Sequence, residues 1–557
     1  MSHRMQTKYV VVLGSLLSGL GKGIVTSSVA KLLTMHNYNV MPLKFDGYLN
    51  YDCGTMNPFR HGEVFVLEDG GEVDMDFGTY ERFLNKNVNK SFSLTGGKLF
   101  TEIIARERRG DFLGADVQII PHLTDYIIER ITSLAEKEKL DVLVIEVGGT
   151  VGDIENSYFV EAMRQLSVKN KVAFVDVTYV PELETVGEQK TKPTQLALRS
   201  LRQEGVQPDF IICRSTRALD EKARRKIALF SNLQPDRVLD DHDTKNIYEL
   251  PDILLKQGFD KMIIDELGLE LKPMDEKKLA EWRSCFDGRG EKKPLTIGVV
   301  GKYVNLHDSY ASVTQALHHA ALHSNADLRI KWLESEAFEN AALGSELAME
   351  QLKDCDGILV PGGFGARGTE GMIKAIEYAR VNKVPYLGLC LGMQLMVIEH
   401  ARNMANIKDA SSSEFTDSGS SVIDLMDEQK GVKEKGGSMR LGAWEAKIKP
   451  GTVAHAAYGA EQISERHRHR YEFNNLYRQK LEDAGLVISA TTTDGKLVEI
   501  VEWKGQFGVG TQAHPEFKSR VEKPSPLFLA FVRSALAYGK GEGAGEEIRS
   551  YNLLAGK

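Results

Sequence analysis

The sequence predicts an α/β protein with two doubly wound domains, each built around a parallel sheet. In both halves of the chain, apolar runs of strand length alternate with amphipathic stretches of helical length. This alternation is typical of parallel sheets that helices cover on both faces. Glycine-rich turns follow several of the apolar runs, as they do at residues 14–23 and 360–368. The carboxyl ends of such strands are where open α/β sheets bind ligands.

The order of these elements predicts where the chain divides. The predicted strands of the first half are residues 9–13, 141–147, 171–177 and 209–213. A charged stretch at 271–293 precedes a new apolar strand at 294–300. The predicted parts are a first domain at 1–271, a linker at 272–295, a second domain at 296–537 and a flexible tail at 538–557.

Two segments are predicted to be loops or tails. Residues 411–435 are rich in serine and then in charges of both signs, and the tail after residue 538 is rich in glycine and glutamate. Neither segment can bury much apolar area.

The composition excludes several classes of protein. The 557 residues are 42% hydrophobic and 27% charged, which is ordinary for a globular protein of several domains. A formal net charge of −8 argues against a nucleic-acid partner. The five cysteines show no paired spacing, which favours a reducing cytoplasm over a disulfide framework. The polar first residues are unlike a signal peptide, and no apolar run reaches the roughly eighteen residues of a membrane span.

Cys390 is the first candidate for chemistry. It ends an apolar run and lies between Gly388 and Gly392, and a helical pattern follows. A nucleophile on such a strand-to-helix turn projects above the sheet edge, where backbone N–H groups can face an oxyanion. The alternative is a packed cysteine that acts as a small hydrophobe.

His514 and Glu516 favour the catalytic interpretation of Cys390. A thiol needs a base to become a thiolate, and the imidazole needs an acceptor that fixes its tautomer. The two residues are two apart after another apolar run, so on an extended segment they share one face. Pro515 is expected to keep that segment from becoming helical.

The glycine turn at 360–368 is the third part of this constellation. Adjacent glycines leave backbone N–H groups open to a developing oxyanion, although the turn can also be a plain strand-to-helix connection. Together the three segments resemble the class I, triad-type glutamine amidotransferase domain over residues 296–537. The resemblance implies that Cys390 attacks the side-chain amide of glutamine, that His514 shuttles protons, that Glu516 orients His514, and that ammonia is passed on. It places glutamine and the oxyanion against Gly363, Leu391, Gly392, Met393, Gln394, Glu414 and Arg470.

The first half opens with a candidate phosphate loop. The strand at 9–13 leads into glycines at 19, 21 and 23, whose backbone N–H groups can close around phosphates, and Lys22 can neutralise them. A strict Walker A pattern fails, because Leu16 replaces a glycine and Gly23 stands where a hydroxyl residue should follow the lysine. A magnesium ion must therefore find its ligands elsewhere.

Asp74 and Glu146 are the candidate metal ligands. Glu146 lies at the end of a predicted strand, and a hard cation that bridges phosphates needs carboxylate oxygens. Asp74 belongs to an acidic stretch in which Glu68, Asp69 and Glu72 are instead predicted to form a solvated face.

The first half as a whole resembles the CTP synthase family. The matching segments are residues 18–23, 61–65, 80–83, 107–110, 148–155, 190–195 and 226–230. Fusion to a glutaminase is a further point of likeness. The resemblance implies a P-loop-like, dethiobiotin-synthetase-like first domain and a flavodoxin-like second domain. It also implies that ATP phosphorylates the 4-oxygen of UTP and that ammonia displaces this phosphate to yield CTP.

The same resemblance assigns the nucleotide contacts. ATP and its magnesium ion are expected at Gly19, Leu20, Gly21, Lys22, Gly23, Ile24, Lys44, Asp74 and Glu146, with the adenine near His242, Asp243 and Thr244. UTP, or CTP as an inhibitor, is expected at Ser18, Asp153, Ile154, Glu155, Lys190, Thr191, Lys192, Pro193, Thr194, Gln195 and Lys226.

The resemblance also implies coupling and assembly. Ammonia must travel under cover, with His61, Arg109 and Gly110 expected near the synthetase end of its passage. GTP is the expected activator, with Arg367 as a candidate contact. The family forms homotetramers and can assemble into filaments.

Two other interpretations remain open at this point. One is a different ATP-dependent amidotransferase that amidates a carboxylate. The other is a nucleotide-sensing scaffold whose polymer is its function, against which an intact Cys390, His514 and Glu516 argue.

Overall fold

The chain folds into two compact units that are not contiguous in sequence. The computed structural model describes residues 6–183, 187–286, 291–339, 343–426, 429 and 436–539. The first unit comprises Met1–Asp52 and Thr79–Glu281, and the second comprises Cys53–Gly78 and Trp282–Lys557.

The described strands are β1 Lys8–Gly14, β2 Val40–Asp46, β3 Val64–Val66, β4 Glu72–Asp74, β5 Ser93–Thr95, β6 Val142–Val147, β7 Val172–Tyr179, β8 Glu182–Leu183, β9 Glu188–Gln189, β10 Phe210–Ser215, β11 Val238–His242, β12 Lys293–Gly301, β13 Ala326–Glu334, β14 Gly357–Val360, β15 Tyr386–Leu389, β16 Ala410–Ser412, β17 Ser420–Leu425, β18 Arg440–Ile448, β19 Gln462–His469, β20 Tyr471–Phe473, β21 Leu486–Thr492, β22 Val498–Trp503 and β23 Gly508–Thr511.

The described α-helices are α1 Lys22–Met35, α2 Pro58–His61, α3 Asp76–Leu84, α4 Gly96–Arg109, α5 Thr124–Lys137, α6 Ser157–Lys169, α7 Lys192–Gln203, α8 Glu221–Ser231, α9 Leu250–Lys256, α10 Phe259–Glu266, α11 Glu276–Ser284, α12 Ala311–His323, α13 Leu343–Lys353, α14 Thr369–Asn382, α15 Leu391–Asn403, α16 Val453–Tyr458, α17 Arg478–Asp483 and α18 Pro526–Gly539. None of the described helices is long and apolar enough to cross a membrane.

The first unit contains a seven-stranded sheet in the order β11-β10-β7-β1-β6-β2-β5. Each of its strand pairs is parallel. This confirms the predicted α/β class and the parallel sheet, and the four predicted strands of this half correspond to β1, β6, β7 and β10. Their Val- and Ile-rich runs are buried on both faces, as a sheet between two helical layers requires.

The second unit contains a nine-stranded sheet in the order β13-β12-β14-β15-β23-β22-β21-β18-β19. The first five strands are parallel, and the remaining four extend the sheet in antiparallel fashion. In β14, Ile358 and Val360 pack in one apolar cluster and Leu359 packs in another. Since successive strand residues point to opposite faces, both faces of this sheet are covered.

The two segments predicted to be a loop and a tail differ in part from the structure. The segment 411–435 was predicted to be a loop, but β16 and β17 lie within or beside its first part and form a three-stranded sheet with β20. Val422 and Ile423 are fully buried there, and this short apolar run supplies the core that the serine-rich composition conceals. Residues 427–428 and 430–435 lie outside the described residues. In the predicted tail, residues 538 and 539 end α18, and residues 540–557 are not described.

The segment Cys53–Gly78 belongs to the second compact unit, whereas the sequence analysis included it in a first domain at 1–271. Both oxygens of Glu63 accept a hydrogen bond from Ser312 N at the N-terminus of α12. In the β3–β4 hairpin, Phe65 lies edge-on to Phe517 with ring centroids 5.1 Å apart. The local sequence does not reveal this grouping, because the contacts join residues about 250 to 450 positions apart. The predicted linker at 272–295 likewise contains the whole of α11.

Candidate functional site

Cys390 occupies a sharp turn between β15 and α15. Its backbone has φ 49° and ψ −98°, an uncommon conformation for a residue with a side chain, and its N–H donates to Thr511 O at 2.7 Å. A Cβ at Gly392 would lie 2.1 Å from Val360 O, and one at Gly388 would lie 2.7 Å from Gly392 C. The two glycines are therefore required for the tight backbone around the cysteine, as the motif predicted.

His514 and Glu516 form the expected pair. His514 Nδ1 and Glu516 Oε1 are 2.6 Å apart, and both side chains are buried. Burial alone lowers the pKa of His514, but the charges of Glu516 and Cys390 and hydrogen bonds to both raise it to about 10. The shift favours the protonated form of the imidazole beside the Cys390 side chain.

The sequence predicts an extended segment for this pair, and that prediction is wrong. Residues Pro515–Lys518 form a 3₁₀ helix. Proline fits the first turn of a helix because its missing N–H would have no partner there. This short turn still places the Glu516 carboxylate next to His514 Nδ1, so the predicted contact forms although the backbone conformation differs from the predicted one.

The glycine turn after β14 lies against the same residues. A Cβ at Gly362 would meet His514 Cε1 at 2.8 Å, and one at Gly363 would meet Leu391 Cδ2 at 3.2 Å. Gly365 N donates to Glu414 Oε1 at 2.7 Å, and Lys302 Nζ donates to Phe364 O at 3.1 Å. Burial lowers the pKa of Lys302 to about 8, while Glu414 opposes that shift. These contacts fix a backbone loop beside Cys390.

The remaining predicted glutamine contacts lie in this unit as well. Gln394 and Met393 are buried in the first turns of α15. Glu414 bonds the loop at Gly365, as described. Arg470 donates to Gln429 Oε1 at 2.5 Å and to Ser438 Oγ at 3.1 Å. These positions are compatible with the predicted roles, which remain predictions.

A cavity opens onto the Cys390 thiol. Its lining includes Cys390, His514 and Glu516, the loop Gly362–Phe364, Arg468, and, from the segment Cys53–Gly78, Pro58, Glu63 and Val64. Arg468 Nε donates to Glu72 Oε1 at 2.8 Å, and its guanidinium lies 5.2 Å from the Phe364 ring centroid. Glu72 is only 3% exposed, so its predicted place on a solvated face is wrong. Glu68 also pairs with Arg466 and Lys518, at 3.4 and 3.1 Å.

In the first unit, the candidate phosphate loop joins β1 to α1. Gly21 precedes the helix with φ 86°, Gly19 has φ 76°, and Lys22 is the first helical residue. Lys22 Nζ donates to Gly149 O at 2.6 Å, and a Cβ at Gly14 would lie 2.6 Å from Lys22 Cδ. The lysine therefore crosses the end of β1, where the dipole of α1 favours anions. Leu16 also has a positive φ, of 89°, although it carries a side chain.

Lys44 and Glu146 are paired across β2 and β6 of the same sheet. Their residues are in register, and Lys44 Nζ lies 3.9 Å from Glu146 Oε1 and 3.7 Å from Asp46 Oδ1. Tyr80 also donates to Glu146. Asp74 belongs to the second unit, where its Oδ1 accepts from Asp76 N at 2.9 Å. Among the described residues, three or more His, Cys, Asp or Glu side chains do not cluster as a metal site.

Apart from Ser18 in the loop between β1 and α1, the predicted UTP and CTP contacts lie in three places. Thr191 and Lys192 begin α7, Gln195 Nε2 donates to Thr191 Oγ1 at 3.0 Å, and Lys190 pairs with Glu188 at 2.6 Å. Lys226 is exposed on α8. Asp153 Oδ2 accepts from Thr150 N at 3.3 Å, and Ile154 is 85% exposed. The outward position of Ile154 leaves it open to a ligand.

The predicted adenine and ammonia contacts are placed as follows. His242 ends β11 with Nδ1 2.7 Å from Asp240 Oδ2, and Asp243 pairs with Arg214 at 2.5 Å. His61 ends α2 in the second unit, whereas Arg109 and Gly110 end α4 in the first, where Arg109 pairs with Asp111 at 3.0 Å.

Asp176, near the phosphate loop, is not among the residues predicted from the sequence. It lies on β7, is fully buried, and accepts from Ser15 Oγ at 2.8 Å through Oδ2. Burial raises its pKa to about 7, against the opposing effects of Ser15 and Lys22. An isolated acid within an apolar strand was the only sequence signal for it.

We expect the substitution Asp176→Asn to make stability less dependent on pH. Because the folded-state pKa is raised from 3.8 to about 7, ionisation of Asp176 reduces the free energy of unfolding as pH rises across that range, by about 4 kcal/mol in total. The asparagine keeps the acceptor for Ser15 and cannot ionise. The gain in melting temperature relative to wild type should therefore be larger at pH 8 than at pH 5.

Scanning fluorimetry without nucleotide measures this difference. Asp483→Asn, a change at an exposed position, is the matched control and should give no such divergence. If the difference in melting temperature between Asp176→Asn and wild type is the same at pH 5 and pH 8, the prediction is wrong.

Comparison with known proteins finds one family model in each half of the chain. Residues 8–269 match the model of the CTP synthase N-terminus, and residues 305–534 match the class-I glutamine amidotransferase model. A CTP synthase of Carboxydothermus hydrogenoformans is 51% identical over 540 residues, which cover 96% of this chain and 99% of the relative. A CTP synthase of Symbiobacterium thermophilum is 48% identical with the same two coverages. The solved glutaminase domain of Trypanosoma brucei CTPS with bound acivicin covers 43% of this chain and 93% of that structure, at 38% identity and a TM-score of 0.41.

Proposed function

This chain belongs to the CTP synthase family, and from that premise we propose how its residues carry out the reaction. The enzyme is a glutamine-hydrolysing ligase that aminates UTP to CTP and uses ATP as co-substrate. The observation that carries the residue assignments is the contact of Cys390, His514 and Glu516 in one buried site.

In the second unit, the Cys390 thiolate attacks the carboxamide carbon of glutamine. The backbone N–H groups of Gly363 and Leu391 donate hydrogen bonds to the oxygen as negative charge develops on it, as in an oxyanion hole. The His514 imidazolium gives its proton to the departing ammonia, and Glu516 keeps the ring oriented. Water then cleaves the thioester and releases glutamate. Gln394, Glu414 and Arg470 position the substrate, with the Arg470 guanidinium suited to its α-carboxylate.

In the first unit, the 4-oxygen of UTP takes the γ-phosphoryl group of ATP, and ammonia then displaces that phosphate. A carbonyl oxygen is a poor leaving group, and phosphorylation makes its loss possible. Lys22 neutralises charge on the transferred group, supported by Lys44 and the backbone at 19–24. UTP lies against Lys190–Gln195, Lys226 and Ser18, and CTP inhibits by using Asp153–Glu155.

Magnesium suits the carboxylates proposed to hold it. Asp74 and Glu146 supply oxygen ligands, which a hard cation prefers. Glu146 is buried, and Lys44 Nζ lies 3.9 Å from its Oε1. When bound, the ion would neutralise phosphate charge.

Coupling and regulation complete the proposal. Ammonia passes under cover by way of His61, Arg109 and Gly110, and GTP activates its supply. Arg367, which pairs with Glu336 at 2.8 Å and donates to Lys302 O at 2.8 Å, is placed to connect a bound GTP to the loop that Lys302 holds. The proposal includes a homotetramer, filament assembly and a cytoplasmic location.

UTP-dependent ATP hydrolysis with ammonia is the test of this proposal. We expect ATP turnover and CTP formation to require UTP, because Lys190–Gln195 and Lys226 provide cationic groups for a triphosphate. Adding glutamine in place of ammonia should give the same product, and GTP should increase only the glutamine-driven rate. ATP hydrolysis that does not respond to UTP, but does respond to a carboxylate substrate, would favour a different amidotransferase. Polymerisation without turnover would favour a scaffold.

A further inference from the structure

Gln512 is a fully buried residue that contacts the Cys390 sulfur. It follows β23, two residues before His514, and its Nε2 lies 3.5 Å from Cys390 Sγ. Its backbone N–H donates to Glu499 O at 2.9 Å, which fixes the chain at this point. A second glutamine, Gln394, places its Nε2 3.2 Å from Gln512 Oε1.

The orientation of the Gln512 amide follows from its neighbours. Tyr471 O lies 3.0 Å from the Gln394 side-chain amide, and a carbonyl oxygen can only accept, so the Gln394 NH₂ group faces it. The same NH₂ group faces Gln512, which must therefore present its oxygen. That leaves the Gln512 NH₂ group turned toward Cys390 Sγ. A backbone carbonyl thus sets the direction of two amides in series.

We propose that Gln512 is a catalytic residue that donates a hydrogen bond to the Cys390 thiolate. The inference rests on the proposed glutaminase reaction and deepens it. Hydrogen bonds to an ionised acceptor are roughly twice as strong as neutral ones, so this donor favours the thiolate over the thiol. His514 also contacts this cysteine. Because the Gln512 amide stabilises the sulfur, the His514 imidazolium can give its proton to the leaving group.

The substitutions Gln512→Glu and Gln512→Met separate this role from packing. Glutamate keeps the side-chain shape and the oxygen that accepts from Gln394, but it replaces the donor to sulfur with an anion. Methionine keeps approximate volume and removes both polar groups. Gln479→Met, a change on the exposed face of α17, is the matched control.

The readout is the rate of Cys390 alkylation by iodoacetamide against pH, followed on the Cys390 peptide by mass spectrometry. This measures the thiolate without requiring turnover. In Gln512→Met the pH of half-maximal alkylation should rise by about one unit, because a hydrogen bond to a charged group is worth about tenfold or more. In Gln512→Glu the rise should be larger. Glutamine-dependent CTP formation at pH 7 should fall about tenfold or more, while ammonia-dependent formation stays at the wild-type rate.

Two results would overturn the proposal. An unchanged alkylation profile in Gln512→Glu would mean that the amide does not stabilise the thiolate, even if turnover falls. Equal loss of the ammonia-dependent rate would mean that the substitution acts through folding. If wild-type enzyme shows no glutaminase activity, the proposed function fails by itself, and the alkylation profile still tests Gln512.

Discussion

Cys390→Ala is expected to abolish glutamine-dependent CTP formation while ammonia-dependent formation remains near the wild-type rate. Without the thiolate no thioester forms, and loss of a catalytic nucleophile typically costs at least about 1,000-fold. Ammonia supplied in solution bypasses that step. The measurement is the initial rate of CTP formation with saturating UTP and ATP, once with glutamine and once with ammonium chloride at high pH.

Cys355→Ala is the matched control, because Cys355 is also buried in the second unit but lies in an apolar cluster away from the cavity. It should reduce stability modestly and leave both rates intact. If Cys390→Ala removes both rates equally, nitrogen does not arrive as free ammonia, and the two-step account is wrong.

Lys22→Ala is expected to abolish CTP formation from either nitrogen source. Its ammonium lies over the end of β1 and bonds Gly149 O at 2.6 Å, so its removal takes away a positioned charge at the start of α1. Loss of one such electrostatic contact in a transition state costs about 100- to 1,000-fold. UTP-dependent ATP hydrolysis should fall by the same factor, because phosphoryl transfer precedes amination.

Lys222→Ala removes an exposed lysine in the same unit and should change neither rate. A Lys22→Ala enzyme that hydrolyses ATP normally but forms no CTP would place the lysine in the amination step. Retention of both activities would refute its assignment to the phosphates.

The proposed triad could be predicted from the sequence because each of its members belongs to a short local pattern. Cys390 is flanked by two glycines, at positions where a Cβ would clash with the backbone. His514 and Glu516 are two residues apart, and this short interval brings their side chains together even on a 3₁₀ turn. The strands of both parallel sheets were predictable for the same reason, since an apolar run is a local property.

Contacts between segments that are far apart in the sequence could not be predicted from such local patterns. Glu72 was predicted to lie on a solvated face because an acidic stretch is usually exposed, but it is buried and its Oε1 accepts a hydrogen bond from Arg468 on β19. Gln512 lies only two residues before His514 in the sequence, but its proposed role depends on Gln394 and Tyr471, whose spacing in sequence carries no signal. The antiparallel strand β19 carries Glu465, Arg466 and Arg468, a composition typical of a surface strand, although Arg466 is fully buried.

The inclusion of Cys53–Gly78 in the second unit has a consequence for the order of biosynthesis. Glu72 and Arg468 are separated by 396 residues, so at a translation rate of about 5–20 residues per second the hairpin emerges roughly 20–80 s before its partner strand. During that interval Val64, Phe65 and Val66, which are buried in the finished protein, lack the strand that covers them. The larger part of the first unit, Thr79–Glu281, is synthesised in between. The glutaminase cavity is therefore completed last on the ribosome, although one of its sides is made among the first.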